Sequence, residues 1–408
     1  MRVSKRARWA LVIVAAGALV LAATAAARTH TTAAKKPIII GWAYDGKSGG
    51  PMNPFDAPAL AAAQIEAAKI DKKGGVGGRK LQIKTCNTQG DDPATSTACA
   101  NKLISQDHAN VIFTTCDVNL ATPVVQESLK HHLLTIAPCI GTDQMGPKKF
   151  GKPGKLAFSF GNVAQDEGSA MAQLAWQHGW KTADLAKDNA IVYFEAVVSA
   201  FKARFTQLGG KINYETTYTD KTYGGNDVGN AVTGIESHKK PAVIVTSTAG
   251  AFGSLGTFIT GLRTAGNNAP ILNSWAGDGT YWVGGLNPKV TNYWFVTYAN
   301  AFGHDPNKTV NRLAKQVKAG TGGFITGPAA IDGLVTAIRR AHGSLVGSKL
   351  AAVMQKFHNV PTLSGKVSFS KRLHSVFGRQ YRVIEINNNI PIEKGLIRAK
   401  KVPNSPDS

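Results

Sequence analysis

The stretch from Gln64 to Ala94, QIEAAKIDKKGGVGGRKLQIKTCNTQGDDPA, constrains the fold more than any other part of the chain. An Ala-rich amphipathic helix runs into Gly74-Gly75, and glycine is typical of a helix end. Gly77-Gly78 predicts a tight turn, because glycine adopts positive φ without steric cost. The alternation in Leu81–Lys84 predicts a strand, and Asp91-Asp92-Pro93 predicts the start of the next helix. The stretch is therefore one helix–strand–helix step of a parallel sheet.

The same alternation of strand-like and helix-like segments continues along the chain and indicates an α/β fold. A length of 408 residues suits two domains of ordinary size. The predicted strands are 38–43, 80–85, 110–115, 133–137, 183–188, 211–218, 242–245, 271–274 and 381–386. The predicted helices are 56–72, 93–106, 119–130, 164–178, 197–208, 252–265, 307–318, 327–342 and 346–357.

The first 27 residues have the pattern of a secretory signal peptide. Basic residues precede an apolar stretch, Trp9–Ala23, which is too short for a comfortable membrane span, and Ala25–Ala27 fits the small-residue cleavage rule. An uncleaved anchor is the alternative. Residues 28–36 are expected to form a flexible leader. No cysteine lies near the cleavage site, so we predict export to the periplasm or cell surface without lipid attachment.

The order "helix, GGVGGRK, strand, acidic loop ending in DP, helix" resembles the first domain of type I solute-binding proteins of ABC transporters, of the branched-chain amino acid (Leu/Ile/Val) type. The resemblance extends roughly from Ile38 to Asn389. Ser48–Pro51 resembles the S-x-x-G-P loop of that family, and Phe158–Phe160 with Gln165–Gly168 resembles its first crossing between lobes. It implies two Rossmann-like lobes, with parallel sheets flanked by helices, joined by three hinge crossings.

The resemblance also implies the lobe boundaries. Lobe I is predicted as 37–160 plus 299–366 and lobe II as 161–298 plus 367–396, with a tail over 397–408. The second crossing is expected at 294–298 and the third near 365–369. Lobes joined by three short strands hinge at little internal cost, and a ligand that touches both lobes stabilises the closed form.

Four cysteines all fall in the first predicted lobe: Cys86, Cys99, Cys116 and Cys139. In an exported protein their even number favours two disulfides, for which three pairings are open. We favour Cys86–Cys99, because a strand end and the following helix lie side by side. Cys116 and Cys139 would then pair between the ends of neighbouring strands. A zinc site is the rival interpretation, but no C-x-x-C pair supports it.

Motifs of catalysis and of nucleic-acid binding are missing from the sequence. We find no G-x-S-x-G elbow, no P-loop and no H-E-x-x-H, and therefore expect neither an enzyme nor a cofactor or metal. The formal net charge is +22, but Lys and Arg are scattered rather than clustered with aromatic residues. We therefore expect no nucleic-acid partner. Attraction to an anionic cell surface, or simple solubility, accounts for the charge.

The candidate ligand-binding residues follow from the resemblance, which implies a first lobe that takes an α-carboxylate and a second lobe whose carboxylate and tyrosine hold the ammonium. These candidates are Ser48, Asp117, Asn119, Thr142, Tyr193, Gly250 and Asp278. Asp117 and Asn119 stand where the family has small hydroxyl residues, and both could instead be helix caps. Tyr193 could be a core aromatic and Asp278 a turn residue.

The sequence thus predicts a monomeric, exported solute-binding component of an ABC importer. It would capture an amino acid or related amide between its lobes and deliver it to a membrane permease. The alternative is a ligand-sensing receptor module of the same fold without a transport role. A receptor of that kind continues into a membrane helix and an output domain, which we do not expect here.

Overall fold

The computed structural model describes residues 35–403 and Ser405. The predicted signal peptide, almost all of the predicted leader and part of the predicted tail lie outside the described residues. Residues 37–403 and Ser405 belong to one compact unit. Within the described residues, no helix has the length and apolar character that crossing a bilayer requires.

Two large β-sheets and one small hairpin form the framework. In chain order the strands are β1 Ile38–Tyr44, β2 Leu81–Asn87, β3 Val111–Phe113, β4 Leu134–Ala137, β5 Ala157–Asn162, β6 Thr182–Asp188, β7 Lys211–Tyr218, β8 Val243–Ser247, β9 Ile271–Asn273, β10 Tyr293–Thr297, β11 Val360–Thr362, β12 Gly365–Val367, β13 Ser375–Val376, β14 Tyr381–Asn387 and β15 Ile390–Ile397. The first sheet has the order β13-β5-β4-β3-β1-β2, and the second has the order β15-β14-β10-β9-β8-β6-β7. Every pairing in the first sheet is parallel.

Helices cover both faces of each sheet. They are α1 Asn53–Lys72, α2 Pro93–Asn101, α3 Thr122–Lys130, α4 Pro147–Phe150, α5 Ala164–Gln177, α6 Val192–Gln207, α7 Val228–Glu236, α8 Ser254–Thr264, α9 Lys308–Val317, α10 Thr326–Arg340 and α11 Gly347–Met354. Apolar residues of α1, α10 and α11 share one core with the first sheet, and α2 packs on its other face. α5 and α6 cover one face of the second sheet, and α7 and α8 cover the other. The predicted α/β fold class is confirmed.

The stretch from Gln64 to Ala94 folds as its sequence predicts. Gly74 and Gly75, which follow α1, have φ angles of 95° and 70°. Asp92 caps α2 by accepting a 2.8 Å hydrogen bond from the N–H of Thr95, and Pro93 occupies the first helical position. Helix end, turn, strand and helix start therefore each follow from local chemistry.

The chain departs from the predicted crossings in two places. Residues 294–298 were expected to pass between lobes, but 293–297 is β10, a buried strand of the second sheet. Residues 365–369 were expected to form the third crossing, but 365–367 pairs with 360–362 in the hairpin. β13 then pairs with β5, so the chain still belongs to the first sheet beyond residue 366. A short apolar run such as 294–298 is typical of central strands and of crossings alike, which explains the first of these differences.

The second sheet also carries a strand that the sequence analysis lacks. β14 runs antiparallel to β10, and β15 runs antiparallel to β14 through the turn at Asn388-Asn389. Both asparagines have positive φ, 53° and 65°, as hairpin turns require. The second sheet is therefore mixed, with a two-strand antiparallel edge on a parallel core.

Candidate functional site

A cavity lies where loops at the carboxyl ends of both sheets face each other. From the first sheet it is lined by loops after β3 and β4 and by the start of α1, and from the second by the start of α6 and the loops after β8 and β9. The lining residues are Met52, Phe55, Cys116, Asp117, Val118, Cys139, Ile140, Gly141, Thr142, Ile191, Tyr193, Phe194, Ala249, Phe252, Trp275 and Ala276. This is the position at which open parallel sheets bind ligands.

The cavity is narrow and mostly apolar. Its volume of about 30 Å³ accommodates about two water molecules, at roughly 10–15 Å³ each. Aromatic rings occupy much of the cleft: Trp275 lies 5.2 Å from Phe55 across the cavity and stacks at 4.9 Å on Tyr298. A ligand larger than water must therefore move these side chains or separate the two loops.

The first-sheet side offers hydrogen-bond donors beside one carboxylate. The N–H groups of Gly141 and Thr142 have no acceptor among the described residues. Asp117 Oδ1 accepts from the N–H groups of Asn119 and Leu120, at 2.8 and 3.0 Å. Burial raises the pKa of Asp117 above its usual range. This side can therefore donate to a carboxylate at residues 141–142 and accept from a cation or hydroxyl at Asp117.

The second-sheet side contains a buried tyrosine and, beneath it, a buried glutamate. The Tyr193 hydroxyl is buried, and neither it nor Glu167 Oε2 completes a hydrogen bond with the described residues. Glu167 Oε1 accepts a 2.6 Å hydrogen bond from the N–H of Trp275. Burial raises the pKa of Glu167 to about 8, against a smaller lowering by the hydrogen bond from the N–H of Trp275. Glu167 is therefore largely protonated and neutral near pH 7.

The three passages between the sheets meet at Asn162. The side-chain amide of Asn162 donates to the Tyr381 hydroxyl at 2.6 Å, and its backbone N–H donates to the Tyr298 hydroxyl at 3.2 Å. The buried Arg379 donates to the carbonyl of Phe160 at 2.7 Å and lies 4.8 Å from the ring of Tyr298. The passages after β5, after β10 and before β14 are thus tied to one another at a common point.

Three of the seven predicted ligand-binding residues line the cavity: Asp117, Thr142 and Tyr193. Ser48 lies in an exposed turn after β1. Asn119 is exposed, and its side-chain oxygen accepts a 2.8 Å hydrogen bond from Lys149.

The other two predicted residues lie behind the lining. Gly250 begins a short 3₁₀ turn, and a Cβ atom there would lie 2.2 Å from Trp282. Asp278 is buried and accepts hydrogen bonds from Thr297 Oγ1 at 2.5 Å and from the N–H of Gly322 at 2.6 Å. Burial raises the pKa of Asp278 to about 7. Asp278 therefore connects the loop after β9 to the segment that leads into α10.

Sequence reasoning missed Glu167 and much of the apolar lining. Glu167 stands with Asp166 in the first turn of α5, a helix otherwise rich in small apolar residues. Two acidic residues on a helix of this composition indicate a site that the sequence could have revealed, because burying a carboxyl group is costly unless it has a partner. Met52, Phe55 and Phe252 carry no comparable signal, since apolar residues at helix starts are usually core.

The cysteines pair as favoured from the sequence. Cys86 pairs with Cys99 and Cys116 with Cys139, with Cα atoms 5.5 and 4.9 Å apart. The second pair joins the loops after β3 and β4 and lines the cavity. Asp56 lies within 4.8 Å of its sulfurs, the one group of three metal-ligating side chains among the described residues. Paired sulfurs are not thiolates, so this group does not form a metal site.

Comparisons with known proteins agree with this architecture. The family described as "Periplasmic binding protein" matches residues 37–391. The leucine-binding protein of Thermotoga maritima is 18% identical, with a TM-score of 0.72 over 88% of this chain and 98% of that one. The isoleucine complex of a branched-chain amino acid transporter substrate-binding protein from Streptococcus pneumoniae is 16% identical, with a TM-score of 0.73 over 90% of this chain and 100% of that one.

A third solved structure has a different kind of ligand. The solute-binding protein of a Rhodopseudomonas palustris ABC transporter, in complex with 4-hydroxybenzoate, is 15% identical, with a TM-score of 0.73 over 90% of this chain and 98% of that one. No curated protein matches the chain. At these identities the solved structures show the fold, and the family match extends over most of the chain. The chain belongs to the periplasmic binding protein family.

Proposed function

We propose that this chain is the solute-binding component of an ABC importer, exported and monomeric, which closes on a small ligand and delivers it to a membrane permease. One observation carries the proposal: a single cavity is lined by strand-end loops from both sheets. A ligand there contacts both sides at once. Binding then favours the closed form, because only that form makes both sets of contacts.

The chemistry of the lining supports a small carboxylate with an apolar or aromatic body. The free N–H groups of Gly141 and Thr142, with the Thr142 hydroxyl, suit a carboxylate. Phe55, Phe252 and Trp275 suit an apolar body. These features are compatible both with an amino acid or its amide and with an aromatic acid.

Asp117 supports the amino acid as the ligand. It is the one acidic side chain among the lining residues, and no basic residue lines the cavity. A ligand ammonium or amide N–H beside Asp117 would gain a charge-assisted hydrogen bond in a nearly dry site. Micromolar affinity requires about 8 kcal/mol, which a few such bonds and the burial of the apolar body can supply.

A thermal-shift screen of the purified protein tests the proposal, because a ligand that binds the folded state raises the melting temperature. The panel contains amino acids, their amides and aromatic carboxylates. Asp117→Asn should abolish the shift given by amino acids, while Asp107→Asn, a surface carboxylate paired with Lys102, should leave it unchanged. If only aromatic acids shift the melting temperature, and Asp117→Asn has no effect, the amino-acid assignment is wrong. If no panel member binds, the proposal of a carboxylate ligand fails.

A further inference from the structure

A second, larger crevice lies beside the passage that leads into β14, away from the ligand cavity. It is lined by the start of α9, by the β11–β12 hairpin, by Gly378 and Gln380 of the passage, and by β14 and the end of β15. Its volume is about 710 Å³. We call it the hinge crevice, defined by Pro306, Asn307, Lys308, Asn359, Gly365, Lys366, Gly378, Gln380, Arg382, Leu396 and Arg398.

Four of the residues lining the hinge crevice are basic, and none of them is acidic. The side chains of Lys308, Lys366 and Arg398 are exposed and form no ion pair or hydrogen bond within the described part of the chain. Arg382 differs, because it makes a two-pronged ion pair with Asp305, at 2.8 and 3.0 Å. Three cationic side chains from separate elements therefore share one concave surface without compensation.

Nearby acidic groups do not remove this excess. Asp305 is already occupied by Arg382. Glu393, on β15, is not among the lining residues of the hinge crevice, and its side chain accepts a 2.7 Å hydrogen bond from Asn300. Asp166 lies close enough to interact with Arg398, but burial raises its pKa to about 7, so it is only partly ionised near neutral pH. The electrostatic potential in the hinge crevice is therefore positive.

Lys308 stands where a cation is unfavourable unless an anion is close. It is the first residue of α9, a ten-residue helix without an acidic residue in its first turn. The N-terminus of a helix carries partial positive charge, which favours anions and disfavours cations by about 0.3–1 kcal/mol. The helix end and the lysine therefore act in the same direction, and a bound anion would relieve both.

We propose that the hinge crevice binds a phosphate-bearing anion through Lys308, Lys366 and Arg398. A multivalent oxyanion matches three cations that line one crevice better than one carboxylate does, because each oxygen can accept from a different side chain. The crevice is large enough for more than one linked phosphate group. The ligand could be a free phosphate compound or the phosphate of a membrane headgroup, which the experiment separates. This inference does not depend on which solute the cavity takes.

The test compares the full chain with the triple variant Lys308→Gln, Lys366→Gln, Arg398→Gln. A matched control removes three exposed lysines elsewhere, Lys211, Lys239 and Lys289, by the same substitution. Calorimetric titration with inorganic pyrophosphate at about 50 mM salt measures free phosphate. Co-sedimentation with phosphatidylglycerol vesicles, against phosphatidylcholine vesicles, measures the headgroup. Circular dichroism confirms that all three proteins are folded.

The expected result is binding of at least one phosphate source by the wild type, a loss of tenfold or more in the triple variant, and a change of less than twofold in the control. Binding of pyrophosphate assigns a free phosphate ligand, and binding of phosphatidylglycerol vesicles alone assigns a membrane surface. Equal losses in the two triple variants would show that only net charge matters and would overturn the proposal. Failure of the wild type to bind either source would overturn it as well.

Discussion

The clearest energetic prediction concerns Glu167, whose carboxyl group is fully buried beside the ligand cavity. Its pKa is about 8, against an ordinary value of 4.5. Because the folded-state pKa is raised, the folded protein holds a proton that the unfolded chain releases. The stabilisation is complete below pH 4.5 and is lost as the pH rises through 8. When the pH rises from 6 to 9, loss of the Glu167 proton should lower the free energy of unfolding by about 2.5 kcal/mol.

Glu167→Gln is the matching perturbation, since glutamine imitates the protonated acid and keeps an oxygen to accept from the N–H of Trp275. Urea denaturation of both proteins at pH 6 and pH 9 gives the two free energies of unfolding. From pH 6 to pH 9, the free energy of unfolding of the variant should fall by about 2.5 kcal/mol less than that of the wild type.

Other raised carboxyl groups do not confuse the comparison. Burial raises the pKa values of Asp166 and Asp278 to about 7, so both also destabilise the protein as the pH rises. Asp278 is present in both proteins, and its contribution cancels in the difference. Asp166 also contributes to the raised pKa of Glu167, so the difference between the two proteins includes this interaction. Parallel pH profiles for wild type and Glu167→Gln would refute the argument, because they would mean that Glu167 ionises in the folded protein as it does in the unfolded chain.

Three further predictions concern the cleft, the disulfides and a buried ion pair. Gly141→Ala places a Cβ atom 2.6 Å from the ring of Tyr193 across the cleft. Ligand affinity, measured by calorimetry, should therefore fall at least tenfold, while the circular dichroism spectrum stays unchanged. Replacing Cys86 and Cys99 by serine removes a disulfide between residues 13 positions apart in sequence. The free energy of unfolding, measured by urea denaturation, should fall by about 3 kcal/mol. A fall of less than about 0.5 kcal/mol would contradict this prediction. Arg382→Leu removes the cationic partner of the buried Asp305 carboxylate. It should lower the free energy of unfolding by about 3–5 kcal/mol, and adding Asp305→Asn should restore part of that loss. If the losses of the two single variants simply add in the double variant, the prediction is wrong.

Local chemistry was sufficient to predict most of the fold. Strands such as 211–218 and helices such as 164–178 agree with the structure to within a residue, because turn and cap residues mark their ends. The errors concern connections between sheets and elements that the sequence did not predict, such as α4, α7 and β15. A buried apolar run such as 293–297 has the same pattern in a strand and in a crossing, so only its partners distinguish the two. Those partners lie far away in the chain, and local pattern does not identify them.

The candidate site was harder to predict than the fold because a side chain can serve its own loop and still face the cavity. Asp117 was open to interpretation as a helix cap or as a ligand-binding residue. The structure shows Oδ1 engaged by the backbone of its own loop, while the side chain also lines the cavity. These are the hydrogen bonds of a local turn, because the N-cap of α3 is Ala121, which makes no side-chain capping bond. The turn holds the carboxyl group in place. The cap interpretation of Asp117 is therefore wrong, and its ligand-binding role stays a prediction.

Asn119 shows the opposite case and explains why sequence spacing alone does not define the site. It lies two residues beyond Asp117, and both residue types suit ligand binding equally well. Its side chain instead points to the surface and accepts from Lys149, which lies on α4, a helix that the sequence did not predict. Asp117 lines the cavity together with Tyr193 and Trp275 of the second sheet, whereas Asn119 is not among the lining residues. Membership of the cavity therefore depends on residues from the other sheet, which are distant in sequence, and local spacing does not reveal them.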